Sequence, residues 1–112
     1  MSRPERAAQD AGALRLGAVA DGRLALAGPL TFATAASARA LGARLLAEGG
    51  AAALDIDCAG VTAADSAGLA VLLDWMRLAK GAGRALHYTH LPVGLAALAR
   101  ISEVEGLLTR GV

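Results

Sequence analysis

Apolar and polar residues alternate twice in the first quarter of the chain, over residues 14–18 and again over residues 23–27. A period of two is typical of a strand with one buried face. Between the two runs stands Asp21-Gly22, a pair that favours a tight hairpin turn. The pattern therefore predicts an antiparallel hairpin whose second strand ends at Gly28-Pro29.

Two later segments have a helical period instead. Apolar residues three and four positions apart predict one helix over residues 32–47 and a second over residues 65–80. Each is followed by a glycine pair suited to a helix end: Gly49-Gly50 after the first, and Gly81-Ala82-Gly83 after the second. The second has the more regular spacing and is the clearest helix in the sequence.

Two shorter helices are predicted near the end of the chain. Pro92 suits the first turn of one, because its missing N–H would be unpaired there in any case. The buried stripe of this helix is predicted to be Leu95, Leu98 and Ile101. Ser102 and Glu105 have the S-x-x-E spacing of a capping box, which predicts a last short helix through Leu108.

Two further apolar runs complete the set of predicted strands. Residues 52–57 indicate a central strand ending at Gly60, and residues 85–89 a fourth strand. The order β-β-α-β-α-β-α-α predicts an α/β fold, a mixed four-stranded sheet packed with helices. We expect one domain over residues 13–112 and a flexible N-terminal arm over residues 1–12, which are polar and show no period.

Composition excludes several classes of protein. The apolar fraction of 55% argues against disorder, and a net charge of +1 argues against a nucleic-acid partner. Cys58 is the one cysteine, so no internal disulfide is possible. We find neither a signal peptide nor an uncharged apolar run of about 18 residues, and therefore expect a cytoplasmic protein without direct membrane insertion.

Motifs of enzymes and metal sites are equally scarce. No phosphate-binding loop, dinucleotide fingerprint or nucleophile elbow occurs. His87 and His90 should point to opposite faces of a strand, so a shared metal is not expected. Asp55 and Asp57 share a face; they could bind a metal or act as acid and base, but ending a strand and capping the next turn is the favoured role. We predict no catalytic residue, metal or cofactor.

The start of the second helix is the most informative segment. Asp65 is a good N-cap, since its carboxylate can accept from unpaired first-turn amides. Ser66 would then be the first helical residue, its hydroxyl at the partly positive end of the helix. Gly68 would allow another backbone or protein surface to approach closely. Taken alone, the segment is also compatible with an ordinary helix start.

The helical wheel divides this helix into three faces. The core face is predicted to comprise Leu69, Leu72, Leu73 and Met76. Beside it lies a second apolar arc of Val71, Trp75 and Leu78. The remaining face carries Ser66, Ala70, Asp74 and Arg77, with Ala67 nearby. The second arc either packs under a neighbouring helix, which is the favoured interpretation, or extends an exposed docking surface.

These features resemble a STAS domain, the fold of anti-sigma factor antagonists and of transporter-associated regulatory domains. The resemblance rests on Leu54-Asp55-Ile56-Asp57, a short loop and Asp65-Ser66-Ala67-Gly68-Leu69, and covers about residues 14–108. Residues 74–80 and 91–104 are most similar to the STAS subunit of the bacterial Mla phospholipid-transport ABC complex. In that subunit the position of Ser66 contacts the ATPase subunit.

The resemblance implies a non-enzymatic adaptor, peripheral to the inner membrane through its partner, that binds and stabilises or regulates an ABC ATPase subunit. The implied contact residues are Asp65, Ser66, Ala67, Gly68, Ala70, Asp74 and Arg77. An alternative also follows from the family. In anti-sigma factor antagonists the serine at this position is phosphorylated by a partner kinase, so Ser66 would be a phospho-switch that controls binding to an anti-sigma kinase.

Overall fold

The computed structural model describes residues 13–48 and 50–111. The predicted arm, residues 1–12, lies outside them. The strands are β1 (Arg15–Ala20), β2 (Arg23–Leu30), β3 (Ala53–Ala64) and β4 (Ala85–Thr89). A 3₁₀ turn, Phe32–Thr34, precedes the helices α1 (Ala35–Ala47), α2 (Ser66–Gly81), α3 (Val93–Ile101) and α4 (Glu105–Arg110). The predicted α/β fold and element order are confirmed.

The four strands form one mixed sheet in the order β1-β2-β3-β4. β1 and β2 are antiparallel, as the hairpin signal predicts, whereas β2, β3 and β4 run parallel to one another. Buried and half-exposed residues alternate along β2, β4 and the first half of β3, and the buried set includes Leu26, Ile56 and Tyr88. The helices pack on this apolar side, where the core lies.

Both central strands are longer than predicted. β2 continues through Gly28-Pro29 to Leu30, and β3 continues past Gly60 to Ala64. The predicted stop fails because Pro29 lies at a register irregularity opposite Ala63, a place where a residue without an N–H is tolerated. The predicted short loop after Gly60 is therefore absent. The start of α2 follows directly on the end of β3, at the carboxyl edge of the sheet.

The first helix begins three residues later than predicted. Residues 32–34 form a 3₁₀ turn because Thr34 closes it with its hydroxyl group. That hydroxyl accepts a hydrogen bond from the amide of Thr31 at 3.0 Å and donates to the carbonyl of Pro29 at 2.9 Å. Side-chain bonds of this kind compete with regular helix at a chain turn.

Two predictions for the C-terminal helices are wrong. Ile101 is 80% exposed, not buried, although Leu95 is buried as expected. The predicted capping box does not form, because Ser102 ends α3 and donates its amide to the carbonyl of Leu98 at 3.0 Å. Glu105 instead lies 3.4 Å from the guanidinium of Arg100. No helix in residues 13–48 or 50–111 combines the length and the apolar content needed to cross a bilayer.

Trp75 joins α2 to α1. It is 1% exposed, and its indole Nε1 donates to the carbonyl oxygen of Ala38 at 3.1 Å. Its ring lies directly over Gly42, which leaves no room for a side chain at that position. Val71, on the same arc of α2, is also fully buried. The second apolar arc thus packs under a neighbouring helix, which was the favoured interpretation, and Trp75 belongs to the core.

This contact predicts opposite effects for two glycine substitutions. Alanine normally stabilises a helix relative to glycine by up to about 1 kcal/mol. Gly42→Ala should instead lower the free energy of unfolding by about 1–3 kcal/mol, because the added methyl group overlaps the Trp75 ring. Gly81→Ala is the matched control, since its methyl group meets nothing within 4 Å. Urea unfolding followed by Trp75 fluorescence measures both; equal stability of the two variants would contradict the packing.

Candidate functional site

One carboxylate organises the carboxyl edge of the sheet. Asp65, in extended conformation, is the N-cap of α2, and its Oδ1 accepts from the amide of Gly68 at 3.1 Å. Its Oδ2 accepts from the amide of Phe32 at 3.0 Å. The 3₁₀ turn and the first turn of α2 are therefore tied together by the two oxygens of a single side chain, 33 residues away from the turn in sequence.

These hydrogen bonds favour the ionised form of Asp65. The amide of Phe32, and then that of Gly68, hold the pKa of this carboxyl below its ordinary value. A carboxyl whose pKa is lower in the folded than in the unfolded chain stabilises the fold fully above the unfolded pKa. That stabilisation is lost as the pH falls through the folded pKa.

Ser66 is the first residue of α2 and is exposed. Within residues 13–48 and 50–111, no group forms a hydrogen bond with its hydroxyl. The hydroxyl therefore stands in solvent at the positive end of the helix, with its donor and acceptor capacity available to another molecule. The predicted position of Ser66, as the first residue of this helix with its hydroxyl at the exposed end, is thus observed.

Of the two close approaches predicted for Gly68, by another backbone or by a protein surface, the structure contains the first. It is buried, and a side chain at this position would overlap the backbone carbonyl of Leu30 at the end of β2. The close approach predicted at this glycine is therefore made by the chain's own strand. Gly68 is removed from the predicted contact residues and instead allows α2 to lie against β2.

The remaining predicted residues lie along one side of α2. Ala70 and Arg77 are exposed, whereas Ala67 and Asp74 are half-buried. Arg77 donates to Asp74 at 2.6 Å, so this pair presents little net charge. From Ser66 to Arg77 the face extends for about 16 Å, at a rise of about 1.5 Å per residue. We define the docking face as Asp65, Ser66, Ala67, Ala70, Asp74 and Arg77.

Phe32 is a residue that the sequence analysis missed. Its side chain is 83% exposed, although its amide is held by Asp65 at the start of the docking face. The helical spacing of residues 32–47 predicts Phe32 as the first residue of a helix and assigns it no functional role. The signal that could have found it is Thr31 with Thr34, a pair of hydroxyl residues that enclose Phe32 in a turn.

The prediction that His87 and His90 point to opposite faces of a strand is wrong, because β4 ends before His90 and both imidazoles lie beside aspartates of β3. Asp57 Oδ1 accepts from the amide of Ala59 at 2.9 Å, and the imidazole Nδ1 of His90 lies 3.1 Å from the same oxygen. The Ala59 amide is the main cause of the lowered pKa of Asp57. His87 Nε2 lies 3.8 Å from Asp55 Oδ1. Across the described ranges, three or more residues suited to hold a metal ion do not come together.

Cys58 is unsuited to nucleophilic chemistry. Its thiol is fully buried among the apolar residues of β3 and the helices. Burial raises the pKa of this thiol to about 12, so the reactive thiolate is scarce at neutral pH. The exposed face of α2 that begins at Ser66, and not this thiol, is therefore the candidate site.

A comparison with protein families matches the greater part of the chain. The family model described as "Mlab, STAS domain" matches residues 15–109. The chain belongs to this family. Its match includes the whole of the docking face and the 3₁₀ turn beside it. No curated protein sequence matches the chain.

Two solved structures share the fold. The anti-sigma factor antagonist SpoIIAA in its unphosphorylated form is 16% identical, with a TM-score of 0.60 over 82% of this chain and 83% of that one. The Bacillus cell fate determinant SpoIIAA in its phosphorylated form is also 16% identical, with a TM-score of 0.65 over 87% and 88% of the two chains. At this identity the likeness concerns the fold.

Asp65→Asn tests the carboxylate bridge by its pH dependence. The wild-type stability contributed by Asp65 should be present above pH 3.8 and be lost as the pH falls through the lower folded pKa. Asparagine does not titrate, so the variant should lose less stability than the wild type between pH 6 and pH 2.5. Urea unfolding at several pH values measures the difference. Parallel pH profiles for the two proteins would refute a charged bridge.

Proposed function

We propose that this chain is a non-enzymatic adaptor that binds and stabilises or regulates the ATPase subunit of an ABC-type phospholipid transport system. The observation that carries the proposal is the exposed, unbonded hydroxyl of Ser66 at the start of α2, in a chain of the family described as "Mlab, STAS domain". The STAS subunits that this chain resembles use the corresponding position to contact their ATPase.

The docking face suits a protein partner. Ser66 is flanked by Ala67 and Ala70, whose short side chains let another surface come close to the helix. Asp65 fixes the helix start, so little conformational freedom is lost when the face is covered. The paired charges of Asp74 and Arg77 lie at the far end of the face, where a polar rim is expected.

The same geometry supports a role without catalysis. A nucleophilic serine needs an adjacent base to take its proton. In the described part of the chain, no base lies within hydrogen-bonding distance of the Ser66 hydroxyl. The protein would act by contact, on the cytoplasmic side, held near the inner membrane by the ATPase and its permease.

A second function is favoured by the likeness to SpoIIAA. That protein is solved in an unphosphorylated and a phosphorylated form, and it is an anti-sigma factor antagonist. Under this alternative, Ser66 would be a phospho-switch that controls binding to an anti-sigma kinase. The exposure of the hydroxyl permits attack on a nucleotide phosphate bound by such a kinase.

Ser66→Arg tests the proposed contact. The wild-type protein should retain the purified ATPase subunit of the phospholipid transporter, whereas Ser66→Arg should weaken binding by at least about 10-fold, because a long charged side chain separates the surfaces. Ser102→Arg is the matched control, since Ser102 is also exposed but lies at the end of α3. Calorimetric titration measures all three affinities, and unchanged binding by Ser66→Arg would contradict the proposal.

The alternative gives a different result in a companion assay. Incubation with the anti-sigma kinase and ATP should place one phosphate on Ser66 and release the kinase, and mass spectrometry would locate the phosphate. Ser66→Ala should stay bound to the kinase in the presence of ATP. Binding of the kinase that ATP reverses in the wild type, together with no binding of the transporter ATPase, would select the anti-sigma function over the proposed one.

A further inference from the structure

The aromatic ring of Phe32 stands out from the surface around it. It is 83% exposed, whereas Trp75 and Tyr88, the other aromatic residues, are both almost fully buried. Single exposed apolar residues are common and by themselves imply nothing. The case for Phe32 depends on how it is held and on what lies beside it.

The backbone that carries the ring is fixed by four hydrogen bonds. The amide of Phe32 donates to Asp65 at 3.0 Å, and the amides of Thr31 and Thr34 close the turn at 3.0 Å each. The hydroxyl of Thr34 donates to Pro29 at 2.9 Å. A phenylalanine side chain has only two rotatable bonds, so a ring on such a turn is largely preorganised.

The position of the ring is coupled to the docking face. Asp65 binds the amide of Phe32 with one oxygen and caps the helix that starts at Ser66 with the other. The pairing of Leu30 with Ala64 brings the turn and the helix start together, and Asp65 fixes the spacing between the ring-bearing turn and Ser66. A rigid apolar group beside a polar contact of fixed spacing is the arrangement of an interface anchor.

We propose that Phe32 is the apolar anchor of the docking face and inserts into an apolar pocket on the ATPase subunit. This inference rests on the proposed function and adds that the partner must present an apolar pocket beside the group that contacts Ser66. The ring supplies buried apolar area that the alanines of the docking face cannot supply. Ser66 supplies the polar contact that orients the two proteins.

Calorimetric titration with the purified ATPase subunit of the phospholipid transporter tests the anchor. Phe32→Ala should weaken binding by about 30-fold or more, the size expected for an interface hot spot. Phe32→Leu should recover part of the affinity, because it restores apolar volume. Val19→Ala is the control, because Val19 is 70% exposed but lies near the hairpin turn at the opposite end of the sheet. The Val19→Ala variant should bind the ATPase subunit with the wild-type affinity.

Thermal unfolding of the free proteins separates binding from folding. Phe32→Ala should keep the wild-type melting temperature within a few degrees, since the ring makes little contact with the core. If Phe32→Ala binds as the wild type does while Ser66→Arg does not, the anchor is refuted and the proposed function stands. If the wild-type protein fails to bind the ATPase subunit, both are refuted.

Discussion

The bridge made by Asp65 is the interaction on which the site depends. A helix start leaves several amides unpaired, and a carboxylate N-cap satisfies part of that need. Here the same carboxylate also holds the amide of Phe32, which belongs to a turn at the end of β2. The 3₁₀ turn and the start of α2, which are distant in sequence, are thereby held together at the carboxyl edge of the sheet. Such rigidity is what a surface needs in order to present a hydroxyl group to a partner in a fixed direction.

Packing within the core determines which side of α2 is left for contact. Trp75 packs against α1 at Gly42, and Gly68 lies against the carbonyl of Leu30. These contacts bury one side of the helix, and the adjoining side is buried in the core through Leu69, Leu72 and Met76. On the third side, Ser66, Ala70 and Arg77 are exposed. The candidate site is thus the part of an amphipathic helix that the rest of the domain does not bury.

Local patterns predicted the elements well because burial on one face imposes its period on the sequence. Alternation identified the strands, and the helical wheel separated Ser66 from the core. The features that the sequence could not show depend on contacts between residues that are far apart in the chain. β2 passes through Pro29 because Ala63 pairs beside it. Phe32 lies outside the helix in a turn that Thr34 closes and that Asp65, distant in sequence, holds by its amide. The sequence around Gly68 does not indicate that the backbone of Leu30 will occupy the position of a side chain there.

The bridging carboxylate also limits how a negative charge can be accommodated at its neighbour. The amide of Gly68, a natural donor for an anion at this helix end, is already used by Asp65. A phosphoryl group on Ser66 would stand beside that carboxylate, repel it and compete for its donors. Weakening the carboxylate would loosen the turn that carries Phe32. Modification of Ser66 would then alter the distant segment that contains Phe32, without a rearrangement of the hydrophobic interior.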